Sequence, residues 1–339
     1  MPQRVPSPFL LLGLLAACGG GAGDAETTAA TEETSKGGFL RVDETLAAER
    51  EPDAPPTVEI PAPKVVPGHL PSEERSAHEA MPAVEASPAG PSLEDQAREA
   101  LGASDGASAA RLLSQLVTSH LDSGADDRAA LARWSAMLRE AQELHRWSKK
   151  GSWRAVEARV QPGDGLIAIR KRVLASHPEI LICTGQIARA NDLGPDATLR
   201  PETDLRVPVD RASMLIDLSA MWAFYRLGDE LVAGWEIGVG KDGSQTQPGT
   251  YTIGLKQENP MWCPLGREPV PFGDPQNPLG TRWLAWHIDG RSTSLGIHGT
   301  NDPSGVGRRV SEGCIRMRNP EVEELFEILP LGAEIRVQP

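Results

Sequence analysis

The chain has 339 residues, enough for two or three modest domains, with 34 Gly and 29 Pro. Its formal net charge of −13, from 47 acidic and 34 basic side chains, argues against nucleic acid as a principal partner, because phosphate recognition needs a basic face. Much of the proline falls in the first part of the chain, which predicts a long unstructured segment rather than one large core.

Residues 1–18 read as a targeting segment. Arg4 is the only charge before the apolar run Phe9-Leu10-Leu11-Leu12-Gly13-Leu14-Leu15, and small residues then lead to Cys18. The run is too short to span a bilayer, which predicts a cleaved signal. Leu15-Ala16-Ala17-Cys18 resembles a bacterial lipobox. The resemblance implies that Cys18 becomes the first residue, carries acyl chains and anchors the protein to a membrane, each buried CH₂ adding about 0.8 kcal/mol. Gly19 supplies no inner-membrane retention signal of the aspartate kind. The expected location is the periplasmic cell envelope, at the outer membrane where the cell has one.

Residues 19–92 are Ala, Glu, Thr, Pro and Gly with few large apolar side chains, a composition that cannot offset its own ordering entropy. They are expected to be a disordered tether. Residues 93–150 then turn helical. Ser92 is a candidate cap, and Leu112, Leu113, Leu116 and Val117, then Leu131, Trp134, Leu138, Ala141 and Leu144, recur at three-to-four spacing. Gly124 and Asp126-Asp127 separate the last two helices. This helical hairpin is too small to fold alone and needs another surface.

Residues 157–209 change pattern. Val156, Ala158 and Val160 alternate, Gln161-Pro162-Gly163-Asp164-Gly165-Leu166 turns the chain, and Ile167, Ile169 and Val173 suit a short helix. Ile187 leads to Asn191-Asp192-Leu193, and Arg206-Val207-Pro208-Val209 closes the unit. The Pro-Gly-Asp opening, the central Asn and the closing Val-Pro resemble a lysin motif (LysM), a small βααβ module. The resemblance implies peptidoglycan glycan as partner. Cys183-Thr184-Gly185 departs from the commonest pattern and weakens the implied sugar groove; a spacer that has lost glycan binding is the alternative.

Residues 211–339 are strand-rich. Leu215–Leu218, Met221–Arg226, Leu231–Val239, Thr250–Ile253 and Trp283–Ile288 read as strands, Pro320–Leu329 as the one helix, and Ala333–Val337 as the last strand. A mainly-β domain follows, a sandwich or partly open barrel.

Residues 295–319 carry the chemistry. His298 and Cys314 stand in one Gly-rich segment. A thiol needs a nearby base to act as a nucleophile at neutral pH, and Gly-rich turns let backbone N–H groups approach a reacting carbonyl. Ile297-His298-Gly299-Thr300 followed by Ser311-Glu312-Gly313-Cys314-Ile315-Arg316-Met317 resembles the signature of the L,D-transpeptidase (YkuD-type) catalytic domain. Ile216-Asp217-Leu218-Ser219, Thr246-Gln247-Pro248-Gly249 and Asn277-Pro278-Leu279-Gly280-Thr281-Arg282 extend the likeness, while Glu312 stands where the family usually has histidine.

The resemblance implies Cys314 as nucleophile, His298 as its base, the Gly299 carbonyl as orienter of the imidazole, and N–H groups near Gly313 and Cys314 as oxyanion donors. It places Arg316 at the substrate, with Ser311, Glu312 and Asn319 beside it. Glu312 is expected to hydrogen-bond within its loop or to pair with Arg316 or Arg308; left close to Cys314, its charge would raise the thiol pKa. His287 is the fallback base. Cys314, His298 and His287 lack the fourth ligand usual for zinc, so no metal and no cofactor are expected. Cys183 and Cys263 read as buried thiols that nothing in the sequence brings together.

The implied reaction is acyl transfer from a peptidoglycan stem tetrapeptide, at the diaminopimelate–D-Ala bond, through a thioester to an amine. The alternatives are an L,D-carboxypeptidase, with water as acceptor, and a non-catalytic lipoprotein that only tethers peptidoglycan.

Overall fold

Short polar side chains open the first helices. Ser92 Oγ accepts from the Asp95 N–H (3.1 Å) at α1 (Leu93–Gly102), and Asp105 accepts from the Ser108 N–H (3.0 Å) at α2 (Gly106–Asp122). Asp127 accepts from the Ala130 N–H (2.9 Å) at α3 (Arg128–His145). The computed structural model describes residues 90–149, 151, 153–194, 197–264 and 266–339. The signal segment, Cys18 and the tether up to residue 89 lie outside the described residues.

The apolar stripes of α2 and α3 find their surface on the sheet. Leu113, Val117, Leu131, Trp134 and Leu138 share one buried cluster with Trp222, Phe224 and Leu231. Buried polar contacts lock the join: Arg146 pairs with Asp210 (2.7 Å) and Glu230 (2.9 Å), and Gln142 Nε2 donates to the Leu231 carbonyl (2.8 Å). The helices therefore form a layer on the sheet rather than a separate body.

A βααβ unit follows: β1 (Ala155–Arg159), α4 (Leu166–Ser176), α5 (Thr184–Ala190) and β2 (Asp204–Pro208), with β1 and β2 antiparallel. It has its own core of Val160, Ile169, Val173, Ile182, Ile187, Leu205 and Val207. Buried Asn191 ties it shut. Its Nδ2 donates to the Ile187 (2.8 Å) and Arg206 (2.7 Å) carbonyls, and its Oδ1 accepts from the Arg206 N–H (2.8 Å).

The remaining strands are β3 (Ala212–Asp217), β4 (Trp222–Leu227), β5 (Glu230–Glu236), β6 (Val239–Gly240), β7 (Gly249–Glu258), β8 (Arg282–Ile288), β9 (Arg291–His298), β10 (Arg309–Ser311), β11 (Ile315–Arg316) and β12 (Glu334–Gln338), with α6 (Asn319–Ile328) before the last. Eight of them form one mixed sheet in the order β11-β9-β8-β7-β12-β3-β4-β5, and β6 and β10 pair separately. The assignment is mainly-β, but as one long sheet with a two-stranded ribbon rather than two comparable stacked sheets. The reason is the C-terminal strand: β12 inserts between β7 and β3, joining what would otherwise be two edges.

The C-terminal carbonyls of α6, which no helix can satisfy internally, meet donors from three elements. Tyr225 OH donates to the Ile328 carbonyl (3.1 Å), Lys256 Nζ donates to the Phe326 and Leu329 carbonyls, and Cys183 Sγ donates to the Glu327 carbonyl (3.1 Å). A Cβ on Gly185 would overlap the Glu327 carbonyl. The unusual Cys183-Thr184-Gly185 is thus the surface by which the βααβ unit docks on α6.

Candidate active site

Strand register builds the site. Trp283 on β8, His298 on β9 and Arg316 on β11 are successive cross-strand partners. Partnered residues project to the same face, so the three side chains form a transverse row at the β11 edge of the sheet. Cys314 lies two residues before Arg316 and therefore on that face, beside Gly296. Its Sγ is 3.7 Å from the Ser294 carbonyl, and the Gly296 N–H also faces it.

The imidazole is buried, and its Nδ1 lies 2.6 Å from the Gly299 carbonyl. A carbonyl only accepts, so the proton of the neutral ring sits on Nδ1 and the lone pair on Nε2. Burial first, and the Arg316 charge after it, lower the pKa of His298 to about 4, against the opposing pull of the Gly299 carbonyl. Burial raises the Cys314 thiol to about 11, against the Gly296 N–H and Arg316. Both groups rest neutral at pH 7. The pair is thus a thiol and a neutral imidazole rather than a preformed ion pair.

The turn before the nucleophile is braced from below. Ser311 is buried, and its Oγ donates to the Cys314 carbonyl (2.6 Å) and accepts from the Gly313 N–H (3.2 Å). Gly313 sits at φ +112°, a region that L side chains rarely occupy. Buried Thr246 donates to the Gly313 carbonyl (2.9 Å) and accepts from the Gly240 N–H (3.0 Å), which aims the Gly313–Cys314 peptide. Among the described residues no backbone carbonyl takes up the Cys314 N–H, whereas the Gly313 N–H is already bonded to Ser311. Of the two expected oxyanion donors, only Cys314 N–H is available.

The other expected contacts separate. Arg316 is half-buried with its Nε unpartnered, and no carboxylate lies within ion-pair distance of it among the described residues. Glu312 is exposed and pairs with Lys241 and with Ser244 Oγ (2.8 Å), not with Arg308 or Arg316. Those two partners hold its carboxyl below the usual range. Asn319, at the start of α6, is turned away from the thiol. Its Oδ1 accepts from the Thr300 N–H (2.9 Å) and the Thr281 N–H (3.4 Å), fixing the loop behind His298. Ser311 likewise faces the turn. His287 pairs with Thr252 and Ser292 and packs across Gly254, at the far end of β8 from Trp283. Cys183, at the start of α5, is half-buried rather than buried and forms no disulfide; its thiol donates to the Glu327 carbonyl of α6.

Sequence reasoning assigned no site role to Trp283, Thr246, Lys241 or Ser244. Thr246 and its neighbours stand within a recognised block, but the hydrogen bond that ties Thr246 to Gly313 spans 67 residues and depends on the fold.

Residues 211–337 match the family model for the L,D-transpeptidase catalytic domain. L,D-transpeptidase YkuD of Bacillus licheniformis is 31% identical over 187 residues, which cover 53% of this chain and 97% of that protein. The stretch is longer than 211–337, and only two residues follow 337, so the likeness reaches upstream of the catalytic domain. L,D-transpeptidase YqjB of Bacillus subtilis is 38% identical over 104 residues, covering 30% of this chain and 57% of that protein. The NMR structure of the catalytic domain from Enterococcus faecium L,D-transpeptidase is 22% identical, covering 38% of this chain and 98% of that one, with a TM-score of 0.31. Strand register sets His298 and Cys314 on one sheet face within the matched residues. The chain belongs to the L,D-transpeptidase family.

Proposed function

We propose that the protein is a peptidoglycan L,D-transpeptidase with Cys314 as nucleophile and His298 as base. The observation that carries this reading is the register that sets Cys314, Arg316 and His298 on one face while the Gly299 carbonyl fixes the imidazole tautomer. Nε2 of His298 takes the thiol proton as Sγ attacks the carbonyl carbon joining diaminopimelate to the terminal D-Ala. The carbonyl oxygen gains charge opposite the Cys314 N–H. Nε2–H then protonates the departing amine, D-Ala leaves, and a thioester remains. An incoming amine attacks the thioester and gives its proton to Nε2, and the free thiol returns. Arg316, half-buried and without an ion-pair partner among the described residues, is available for a carboxylate of the stem peptide. Mass spectrometry of disaccharide-tetrapeptides incubated with the full chain tests the reading. Cross-linked or amine-exchanged products are expected, and hydrolysis alone would make the protein a carboxypeptidase.

The βααβ unit is read as a LysM-like glycan-binding module, supported by its element order and by the Asn191 clasp between α5 and β2. Pull-down on purified sacculi tests it: retention that survives deletion of 157–209 would remove the glycan role. The N-terminal sequence supports a lipid anchor at Cys18 and an envelope, outer-membrane location. The mass of the membrane-extracted protein decides this, since an unmodified Cys18 would contradict it.

A further inference from the structure

We infer that Trp283 is a positioning residue for the base: its indole, laid over Gly296, holds the imidazole of His298 so that Nε2 faces the Cys314 thiol. The inference rests on the reading of His298 as base.

Trp283 and His298 are direct cross-strand partners, with ring centroids 5.9 Å apart and planes inclined by 35°. The bond from Nδ1 to the Gly299 carbonyl fixes one atom of the imidazole but leaves the ring able to swing about that contact, because the torsion carrying a planar ring is broad. A second restraint against the ring defines its plane, and the indole supplies it.

Gly296 makes room for this. A Cβ there would stand 2.5 Å from the Leu284 carbonyl oxygen, 2.8 Å from Trp283 Cη2 and 3.0 Å from Cζ2, so only bare backbone fits beneath the neighbouring strand and its indole. The same glycine turns its N–H toward Cys314 Sγ. The indole thus runs from the base to the strand position beside the nucleophile.

Core packing does not account for Trp283. Three residues along β8, Trp286 is fully buried in the core beneath the sheet, whereas Trp283 belongs to none of the hydrophobic clusters and stays half-buried. The row beside His298 holds Arg316 on β11, with Cys314 two residues before it, and the indole from β8; Gln257 continues the row on β7 as a neutral side chain, and Arg316 is the charge that acts on His298, itself faced by the Asp302 and Glu312 carboxylates. The buried imidazole has the indole as its ring neighbour, and burial is the largest of the influences that lower its pKa.

The test is NMR titration of His298 in the full chain, assigned by difference against His298→Gln, together with kcat and KM for transpeptidation. In Trp283→Ala the His298 pKa is expected to rise from about 4 toward about 6.5, and kcat to fall about ten- to hundredfold with KM changed little. Trp283→Phe, which keeps a planar ring, is expected to hold the low pKa and to retain kcat within about threefold. If Trp283→Ala does not fold, Trp283→Leu, apolar but not planar, carries the same expected direction. An unchanged His298 titration and an unchanged kcat in whichever of these folds would overturn the inference. Full activity in His298→Gln would instead overturn the underlying assignment of the base, so the two failures are distinguishable.

Discussion

Arg316 is the direct strand partner of His298, and among the described residues no carboxylate forms an ion pair with it, Asp302 and Glu312 acting on it only through space. A guanidinium beside a buried imidazole disfavours imidazolium, while beside Cys314 the same charge favours thiolate. Burial acts more strongly on both groups and leaves both neutral. A substrate carboxylate bound at Arg316 would cancel its effect on His298 and make the base easier to protonate.

Arg316→Ala is therefore expected to raise KM for tetrapeptide donor about ten- to hundredfold, since a charge-assisted hydrogen bond contributes about 1.5–3 kcal/mol. Arg316→Lys should recover only part of it, because an ammonium cannot offer the planar fork. Steady-state kinetics at fixed pH measure both; an unchanged KM would remove Arg316 from the substrate.

The two shifted groups give opposite pH windows. The folded pKa of His298, about 4, lies below the ordinary 6.5, so the unfolded chain binds that proton more strongly. Its contribution is complete above about pH 6.5 and is lost as pH falls to about 4. Cys314, at about 11, lies above the ordinary 9, so its contribution is complete below about pH 9 and is lost as pH rises through 11. Urea midpoints from pH 8 to 11 should fall more steeply for the wild type than for Cys314→Ala, the difference reaching about 2 kcal/mol. Parallel curves would contradict the burial of the thiol.

Glu312 joins its turn to Lys241 and Ser244 at the surface and makes no contact with the base. Glu312→Gln keeps one hydrogen-bonding arm and is expected to change kcat by about tenfold at most. Abolition of activity, measured against an equally folded protein, would mean that the carboxylate takes part in the chemistry.

Gly185→Ala should be costly although the residue lies outside the site. Its Cβ would meet the Glu327 carbonyl, forcing α5 off the end of α6 and uncapping that helix. A loss of about 2–4 kcal/mol in chemical denaturation is expected, in the range of overpacking plus a broken buried hydrogen bond. A change below about 0.5 kcal/mol would show that the unit does not dock through Gly185.

How much of this was legible follows from the range of each interaction. The α1 cap at Ser92 and the α6 helix depend on local pattern, and the sequence exposed them; His298 and Cys314 share one short segment, which strand register folds onto one face. Glu312 could not be resolved: the nearby arginines are close in sequence, but Lys241 arrives from the far side through the β6–β10 pairing. Ser311 and Asn319 were read as facing substrate, yet each side chain satisfies backbone N–H groups of a neighbouring turn. Trp283 looked like one more strand aromatic. Its place in the site depends on cross-strand register, which a single sequence does not state.

The most direct test of the account is the intact mass of the full chain after brief exposure to a disaccharide-tetrapeptide without added acceptor. A covalent adduct equal to the donor less D-Ala is expected, formed by the wild type, slowed strongly in His298→Gln and absent in Cys314→Ala. An adduct of that mass persisting in Cys314→Ala would contradict it.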